Sequence, residues 1–431
     1  MRSIRLNYRA IEDAVIDVPD ENLLAVLEPK ETLALSSFEE ELRKGLAAPI
    51  GCAALRVLAA GRRNAMILTD DYTRLTPSGR IIPVLLDELN RAGIPDERIT
   101  VMVAQGTHRP MTEAELDKKL GRTVLTRVKV LPHEFDNPQA LQYLGKTPNG
   151  TEIWINKKVM ESELVIGVAN ILPHGYAGFS GGAKIIQPGV SGTVTTGQTH
   201  WLSVSNGLFI GNPDNPIRRE MEQVADTVGL KFIVNTVMNL KGEVVAVVCG
   251  DHRKAFLTGA RIAKTIFSVE FPEEADIVVV DSYPHIFNLW QGGRGLYSAR
   301  MAVKDGGTIL LACPCPEGWA DEPRFYDLLS LTRDEILRRV EAGEEKDLFI
   351  ATPAANVIQV RDACDIVLVT TGIPREEVTR VGFRFADNVQ RGLEMALEKQ
   401  GPKATVTVMH FGADLIPVPC RKGVPGARLD G

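Results

Sequence analysis

Residues 163–184, ELVIGVANILPHGYAGFSGGAK, join an uninterrupted apolar run to a glycine-rich loop. A short apolar run without polar alternation is typical of a strand covered on both faces, which indicates a parallel sheet flanked by helices. Two more runs have this form, NAMILT at 64–69 and ITVMVAQG at 99–106, and polar residues follow each of the three. Because the carboxyl ends of parallel strands share one edge of a sheet, we expect those polar residues to converge there.

The rest of the chain continues the alternation of strands and helices. The pattern predicts helices over 80–92, over 215–230 with an end at Gly229, and over 252–271. Further strands are predicted at 231–239, 243–251, 275–284, 306–314, 364–372 and 404–412. We therefore expect an α/β fold with mainly parallel sheets, in two α/β domains over 1–272 and 273–410. The tail at 411–431 is expected to pack back on the first domain.

Composition limits the classes of protein to which the chain can belong. The length of 431 residues suits two or three domains, the hydrophobic fraction of 44% is ordinary for a globular protein, and the net charge of -6 argues against a general nucleic-acid surface. Neither a signal-peptide core nor an 18-residue apolar stretch is evident, so we expect a cytoplasmic protein without a membrane partner. Of the six cysteines, only Cys313 and Cys315 are close in sequence. They lack the further ligands of a zinc site and are expected to be structural.

Two of the loops after predicted strands carry groups that suit an anion or a sugar. GFSGGAK (178–184) can bring backbone N–H groups and an ammonium to a phosphate, although Ile185 follows the lysine where a P-loop has Ser or Thr. DDYTR (70–74) offers acceptors for hydroxyls or a metal, and a guanidinium for a carboxylate or phosphate. The structural alternatives are a plain glycine-rich turn and a helix-capping turn.

Histidines and one aromatic segment complete the set of candidates. His108, His174 and His200 lie in or after loops of this kind, where an imidazole suits proton transfer or metal binding, although each alone is more often structural. The segment NLWQGGR (288–294) either closes a ligand site or begins a helix with a packed tryptophan. The remaining histidines are expected to be structural: His133, His252, His285 and His410.

The order and spacing of these segments resemble the nickel-dependent lactate racemase family over essentially the whole chain. The matching segments are TDDYTRLTP (69–77), GTHRP (106–110), LPHGYAGFSGGAKIIQPGV (172–190), GQTH (197–200) and, more loosely, WQGGR (290–294). The resemblance implies a racemase or epimerase that inverts C2 of a 2-hydroxy acid by reversible hydride transfer. It also implies transient partners that make and insert the cofactor.

The resemblance further implies a role for each matching residue. Lys184 would attach covalently a nickel-pincer nucleotide, which is a Ni(II) pyridinium mononucleotide with thioamide and thiocarboxylic acid arms, and His200 would ligate the nickel. His108 and His174 would be opposed acid/bases. The residues that would hold the cofactor's phosphate and ribose are Asp71, Tyr72, Thr73, Gly178, Ser180, Gly181 and Gly182. The residues that would meet the substrate are Arg74, Trp290, Gln291, Arg294 and Ile358. The domain over 1–272 would bind the cofactor, and the domain over 273–410 would close the substrate site across an interdomain crevice.

The chain departs from the family's lactate enzymes at three of these positions. Trp290 replaces a tyrosine, Arg294 replaces a lysine, and a tryptophan is missing from AANVIQV (354–360), which includes Ile358. We therefore expect the same chemistry on a 2-hydroxy acid larger than lactate. Two alternatives remain at this point. One is a metal-dependent hydrolase with His108, His174 and His200 as ligands, and the other is a non-catalytic small-molecule-binding homologue.

Overall fold

The computed structural model describes residues 1–8, 14–320 and 322–420. The strands within those residues are β1 (Arg2–Arg5), β2 (Val15–Val18), β3 (Leu23–Leu27), β4 (Ala65–Thr69), β5 (Ile99–Val103), β6 (Lys129–Pro132), β7 (Leu141–Lys146), β8 (Glu152–Asn156), β9 (Val165–Asn170), β10 (Pro173–His174), β11 (Gly178–Phe179), β12 (Leu230–Met238), β13 (Val244–Gly250), β14 (Ser268–Phe271), β15 (Ala275–Asp281), β16 (Val303–Ala312), β17 (Asp365–Val369), β18 (Arg384–Ala386), β19 (Val406–Met409) and β20 (Ile416–Pro419).

The helices alternate with these strands. They are α1 (Phe38–Ala47), α2 (Leu55–Ala59), α3 (Ser78–Arg91), α4 (Glu113–Arg127), α5 (Lys157–Met160), α6 (Thr193–Asn206), α7 (Pro216–Val228), α8 (Lys254–Phe267), α9 (Leu289–Gly292), α10 (Arg294–Arg300), α11 (Arg324–Leu329), α12 (Arg333–Glu341), α13 (Leu348–Ala363), α14 (Arg375–Arg380) and α15 (Val389–Gln400). Short 3-10 helices lie at Asp96–Arg98 and Gly182–Ile185.

The chain divides into two compact units. The central unit comprises Glu31–Ile266 with Lys346–Thr352, and the flanking unit comprises Met1–Lys30, Phe267–Glu345 and the chain from Pro353 onward. The division after Ile266 lies close to the boundary expected at 272. The first thirty residues group with the flanking unit, because β3 extends that unit's sheet beside β19. Local sequence pattern does not reveal this pairing, since its two strands are far apart in the chain.

The central unit is built on a six-stranded sheet with the order β13-β12-β9-β4-β5-β6. All neighbours in it are parallel except β12 and β13, the strands predicted at 231–239 and 243–251, which form an antiparallel hairpin. Every residue of β4 and β9 is buried, as their continuous apolar runs predict. The mainly parallel sheet aligns the carboxyl ends of β4, β5 and β9 at one edge, from which the candidate site residues follow.

The flanking unit has an all-parallel sheet with the order β18-β17-β16-β15-β19-β3. Its four strands after residue 272 that were predicted from sequence are confirmed as β15, β16, β17 and β19. The mainly parallel α/β fold class is therefore confirmed in both units.

One predicted helix is shorter in the structure. The helix expected to reach 271 ends at Phe267, because Ser268–Phe271 instead pair in parallel with Ile416–Pro419 from the tail. The described part of the tail thus lies in the flanking unit, whereas residues 421–431 fall outside the described residues. The segment at 288–294 begins a helix, as one of its two alternatives predicted, because the Asn288 side chain caps α9 by accepting from the Gln291 amide.

Candidate active site

A histidine and a buried carboxylate meet at the carboxyl edge of the central sheet. Asp71 follows β4 and His108 follows β5, and these strands are parallel neighbours. The Nδ1 of His108 lies 2.7 Å from the Oδ2 of Asp71. The Asp71 side chain is only 4% exposed, while that of His108 is 30% exposed. The topology therefore brings together two residues that are 37 positions apart in the chain.

The surroundings of Asp71 keep its carboxylate ionised. Burial works against the charged form, but the charge and hydrogen bond of His108, with smaller contributions from Thr73 and Arg74, hold the pKa of Asp71 below its ordinary range. The Oδ1 of Asp71 accepts from the backbone amide and the hydroxyl of Thr73. Arg74 in turn donates from one guanidinium nitrogen to the carbonyl and hydroxyl of Thr73, both at 3.1 Å. The carboxylate of Asp71 thus orients His108 as well as the loop predicted to hold the cofactor.

Tyr72 of the same loop faces a neighbouring cation. The guanidinium carbon of Arg109 lies 4.2 Å from the centre of the Tyr72 ring. Arg109 also forms a two-pronged salt bridge with Glu115 at the start of α4. A cation over a tyrosine ring is favourable when it is fixed in this way. Arg109 was not predicted from sequence as part of the site, although it lies in the quoted GTHRP segment.

His174 lies at the start of a small hairpin made by β10 and β11. Its Nδ1 accepts from the backbone amides of Tyr176 and Ala177, each at 3.2 Å. The hairpin requires glycine at 178, where φ is 74° and a Cβ would lie 1.8 Å from the carbonyl oxygen of Asn212. The imidazole of His174 is therefore part of the turn that it begins.

The glycine-rich loop uses several of its polar groups internally. The Ser180 hydroxyl accepts from the Leu172 amide at 2.9 Å and donates to the Asn170 carbonyl at 2.9 Å. The Gly182 amide donates to the Asn235 Oδ1 at 2.8 Å. These bonds favour a role for Ser180 and Gly182 in fixing the loop's shape over a role as direct phosphate ligands.

A buried arginine that sequence reasoning missed organises this loop from α7. Arg218 is 1% exposed, and it donates to the carbonyl oxygens of Ala177, Phe179 and Gly181. Its guanidinium carbon also lies 4.1 Å from the centre of the Phe256 ring. Burial lowers the pKa of Arg218 to about 10, which still leaves it charged at neutral pH. In the sequence, Arg218 stands in NPIRRE (215–220), where Asn215 and the following proline indicate only the start of a helix.

His200 on α6 has the properties of a metal ligand. Burial, reinforced by the charge of Lys184, lowers the pKa of His200 to about 3, so the ring is neutral at physiological pH. Its Nε2 is buried and has no hydrogen-bond partner among the described residues. A buried ring nitrogen without a hydrogen-bond partner is unusual unless it binds a ligand. The predicted tether and the predicted nickel ligand are thus close enough to interact electrostatically.

Tyr176 links two of the predicted histidines. Its ring centre lies 5.6 Å from that of His174 and 5.2 Å from that of His200. These are ordinary spacings for packed aromatic rings. Tyr176 stands inside the quoted PHGYAG segment, and sequence reasoning passed over it because an aromatic in a loop has no specific signature.

The remaining predicted residues lie in the flanking unit. Trp290 and Gln291 belong to α9 and are half-buried, and the Trp290 ring centre lies 5.0 Å from that of Phe325. Ile358 on α13 is fully buried. Arg294 begins α10, with one guanidinium nitrogen 3.4 Å from the Oδ1 of Asp414.

His285 belongs with this group, although it was expected to be structural. Its Nε2 lies 3.2 Å from the Oδ1 of Asp414 and 3.3 Å from a guanidinium nitrogen of Arg294. His285 and Asp414 therefore help to hold the arginine. Sequence carried no signal for Asp414, since it is 120 residues from Arg294.

The hydrolase alternative would require His108, His174 and His200 to come together as metal ligands. Within residues 1–8, 14–320 and 322–420, no three His, Cys, Asp or Glu side chains come together to hold a metal ion. His108, His174 and His200 therefore do not form a three-ligand centre. In the same part of the chain, every helix is too short or too polar to cross a membrane.

The fold and these contacts define an α/β enzyme in which loops after parallel strands carry an aspartate-held histidine, a glycine-rich turn and a buried neutral imidazole. The chain belongs to the lactate racemase family. It matches the lactate racemase N-terminal domain over residues 11–211 and the lactate racemase C-terminal domain over residues 271–416. Membership of this family places it among the racemases, which are isomerases.

Relatives of the whole chain agree with this assignment. The chain is 29% identical to a lactate racemase of Thermoanaerobacterium thermosaccharolyticum, covering 96% of this chain and 99% of the relative. It is 30% identical to a lactate racemase of Lactiplantibacillus plantarum, covering 88% and 91%.

Solved structures give the same result for the fold. The lactate racemase apoprotein of T. thermosaccharolyticum matches with a TM-score of 0.86 at 28% identity, covering 94% of this chain and 97% of that one. A Thermotoga maritima protein that is 22% identical shares the fold, with a TM-score of 0.71 and coverage of 90% and 100%.

Proposed function

We propose that this protein is a racemase or epimerase that inverts C2 of a 2-hydroxy acid larger than lactate. The observation that carries the proposal is the buried Asp71 carboxylate bonded to His108, in a chain of the lactate racemase family. A histidine supported at one nitrogen by a carboxylate can exchange a proton at its other nitrogen.

The residues of the central unit fit a nickel-bound nucleotide tethered to the chain. His200 is neutral and its buried Nε2 has no partner among the described residues, so this nitrogen would ligate nickel. Lys184, whose charge acts on His200, would carry the covalent link. When bound, the nickel-pincer nucleotide supplies the acceptor for the hydride of C2. The contacts expected from Tyr72, Thr73, Gly178 and Gly181 to the nucleotide stay predictions.

The chain's own groups would handle protons and position the substrate. His108 would take the proton of the C2 hydroxyl, and the Asp71 carboxylate would stabilise the resulting imidazolium. His174 would give a proton to the C2 oxygen, or take one from it, on the other side of the substrate carbon. Arg74 and Arg294 would bind the substrate carboxylate or a second acidic group through charge-assisted hydrogen bonds.

The substrate proposal rests on the residues in the flanking unit. Where the family's lactate enzymes carry an aromatic wall, this chain has Ile358, and an arginine replaces their lysine at 294. A smaller wall makes room for a side chain longer than methyl, and a guanidinium fork suits a polar or acidic tail. Trp290 and Gln291 would line the same substrate.

The first experiment tests the cofactor. The chain is co-expressed with proteins that make the nickel-pincer nucleotide, and the intact mass and metal content are measured. We expect a covalent mass increment with nickel in the wild type and in the surface control Lys158→Ala, and neither in Lys184→Ala. Zinc without added mass would favour the hydrolase, and the absence of both would favour the non-catalytic homologue.

The second experiment tests the reaction on loaded protein. A panel of 2-hydroxy acids deuterated at C2 is incubated in ordinary water, and inversion is followed by chiral chromatography. Hydride transfer predicts that the inverted product keeps its deuterium, because the hydrogen never exchanges with solvent. Loss of the deuterium would instead indicate abstraction of a C2 proton and would contradict the proposed mechanism.

A further inference from the structure

The two candidate catalytic histidines are held by groups of opposite hydrogen-bonding character. Each ring uses its Nδ1 to contact the protein, His108 toward a carboxylate and His174 toward two backbone amides. A neutral imidazole carries one hydrogen, on either Nδ1 or Nε2. The partner of Nδ1 therefore decides which nitrogen keeps the lone pair.

The contact of His108 with Asp71 favours a hydrogen on its Nδ1. The Asp71 carboxylate, 2.7 Å from this nitrogen, is ionised and can only accept. Asp71 is itself fixed, because its other oxygen accepts from the Thr73 amide and hydroxyl. With Nδ1 protonated, the neutral ring carries its basic lone pair on Nε2. This is the arrangement of a general base.

The contacts of His174 with two amides favour a hydrogen on its Nε2. The amides of Tyr176 and Ala177 can only donate, and both lie 3.2 Å from Nδ1. Ala177 is fully buried, and its carbonyl is bonded by the buried Arg218, so the turn that presents these amides is itself fixed. A hydrogen on Nδ1 would face two amide hydrogens and forfeit both bonds.

We propose that the two rings rest in opposite tautomers, so that His108 is the base and His174 is the hydrogen-bond donor of the resting site. This inference rests on the proposed function for its catalytic meaning, and it narrows the two equal bases of that proposal to an unequal pair. Asp71 and the turn at 174–177 are then positioning groups. In the resting protein, only the enantiomer whose hydroxyl faces His108 meets an imidazole whose lone pair is on Nε2. For His174 to accept the hydroxyl proton of the other enantiomer, the amides of the turn must release Nδ1.

The test is nitrogen-15 NMR of the unloaded protein labelled only at histidine. Long-range proton–nitrogen correlations show which ring nitrogen lacks hydrogen, and His108→Gln and His174→Gln assign the two signals by their loss. His133 is an internal reference, because its Nε2 faces the Ser191 carbonyl at 2.9 Å and its Nδ1 faces the Asn156 amide nitrogen. We expect His174 to match His133 and His108 to show the opposite pattern. In each ring the favoured tautomer should exceed the other by more than about tenfold, because a hydrogen bond of ordinary strength is sufficient for that ratio.

A variant separates the causes. Asp71→Asn should reduce the preference at His108 and leave the pattern of His174 unchanged. The inference would be overturned if His174 carried its hydrogen on Nδ1 or if both rings had the same tautomer. It would also be overturned if the tautomer preference of His108 were unchanged in Asp71→Asn. The measurement needs neither cofactor nor turnover. A failure of the proposed racemase activity would therefore appear separately, as no inversion by loaded wild-type protein.

Discussion

At the scale of single residues, Asp71 couples the fold to the proposed chemistry. Asp71→Asn keeps the size of the side chain but replaces an ionised acceptor with an amide that can present its NH2 group to His108. We expect kcat for C2 inversion to fall by about a hundredfold or more, since an aspartate that fixes a catalytic tautomer has effects of that order. The measurement is inversion by loaded protein at equal cofactor occupancy.

The matched control for this change is Asp117→Asn on α4. Asp117 lies 3.8 Å from Arg122 in an exposed ion pair, so its loss should leave kcat unchanged. Full activity in Asp71→Asn, with cofactor occupancy equal to that of the wild type, would contradict the role given to Asp71.

Arg218 carries a different kind of prediction, because its contacts are to the backbone. Arg218→Met fills much of the same volume but leaves the carbonyls of Ala177, Phe179 and Gly181 without their donor. We expect the free energy of unfolding to fall by about 3 kcal/mol or more, because each hydrogen bond to a charged group contributes about 1.5–3 kcal/mol. Urea unfolding measures the change.

The next residue on the same helix supplies the control. Arg219 is exposed and pairs with the equally exposed Asp214, so Arg219→Met should change stability little. Similar losses in the two variants would show that Arg218 has no special role in holding the loop.

At the scale of elements, the hairpin around His174 depends on one glycine. Gly178→Ala would force a Cβ to within 1.8 Å of the Asn212 carbonyl, so the backbone must move. Gly207→Ala is the control, because Gly207 also has a positive φ but nothing lies within 4 Å of an added Cβ. We expect Gly207→Ala to cost about 1–3 kcal/mol of unfolding free energy, because its φ of 84° and ψ of -172° are rarely adopted by residues other than glycine. Gly178→Ala should cost more, because the clash with Asn212 adds to the strain of its positive φ. Equal costs would contradict the close approach to Asn212.

The elements also show what the sequence could predict. The strands at 64–69, 99–106 and 163–172 were predictable because an unbroken apolar run has few alternatives to a buried strand, and the end of α7 was predictable because Gly229 adopts a left-handed conformation. The strand Ser268–Phe271 was not, because it is specified by a partner almost 150 residues away. Local pattern can predict an element, but it cannot predict a pairing.

The candidate site divides along the same line. His108, His174, Lys184 and His200 stand in motifs and could be nominated from sequence. The groups that set the protonation or orientation of these residues could not be nominated from sequence, because only the folded chain brings them into contact. Arg218 reaches the loop from 37–41 positions away, and Asp71 was nominated as a cofactor contact rather than as the partner of His108.

At the scale of the whole molecule, buried neutral histidines should make stability fall in acid. His133 was expected to be structural, and in the central unit its two ring nitrogens are both bonded to buried neighbours, Ser191 and Asn156. Burial lowers the pKa of His133 to about 4. The native ring therefore stays neutral down to that pH, whereas the unfolded ring takes up a proton below about 6.5. As the pH falls from about 6.5 to about 4, the unfolded state is stabilised by about 1.4 kcal/mol per pH unit from this group alone.

The test compares slopes rather than absolute stabilities, because replacing a buried histidine also changes packing. The free energy of unfolding is measured in urea between pH 7 and pH 4 for the wild type and for His133→Gln. We expect the wild-type free energy of unfolding to decline more steeply with falling pH, by about 1.4 kcal/mol per pH unit, since glutamine does not titrate. His200, with its pKa lowered to about 3, keeps some decline in both proteins. Identical slopes would mean that the native ring of His133 accepts a proton as readily as the unfolded one, which its buried contacts with Ser191 and Asn156 should prevent.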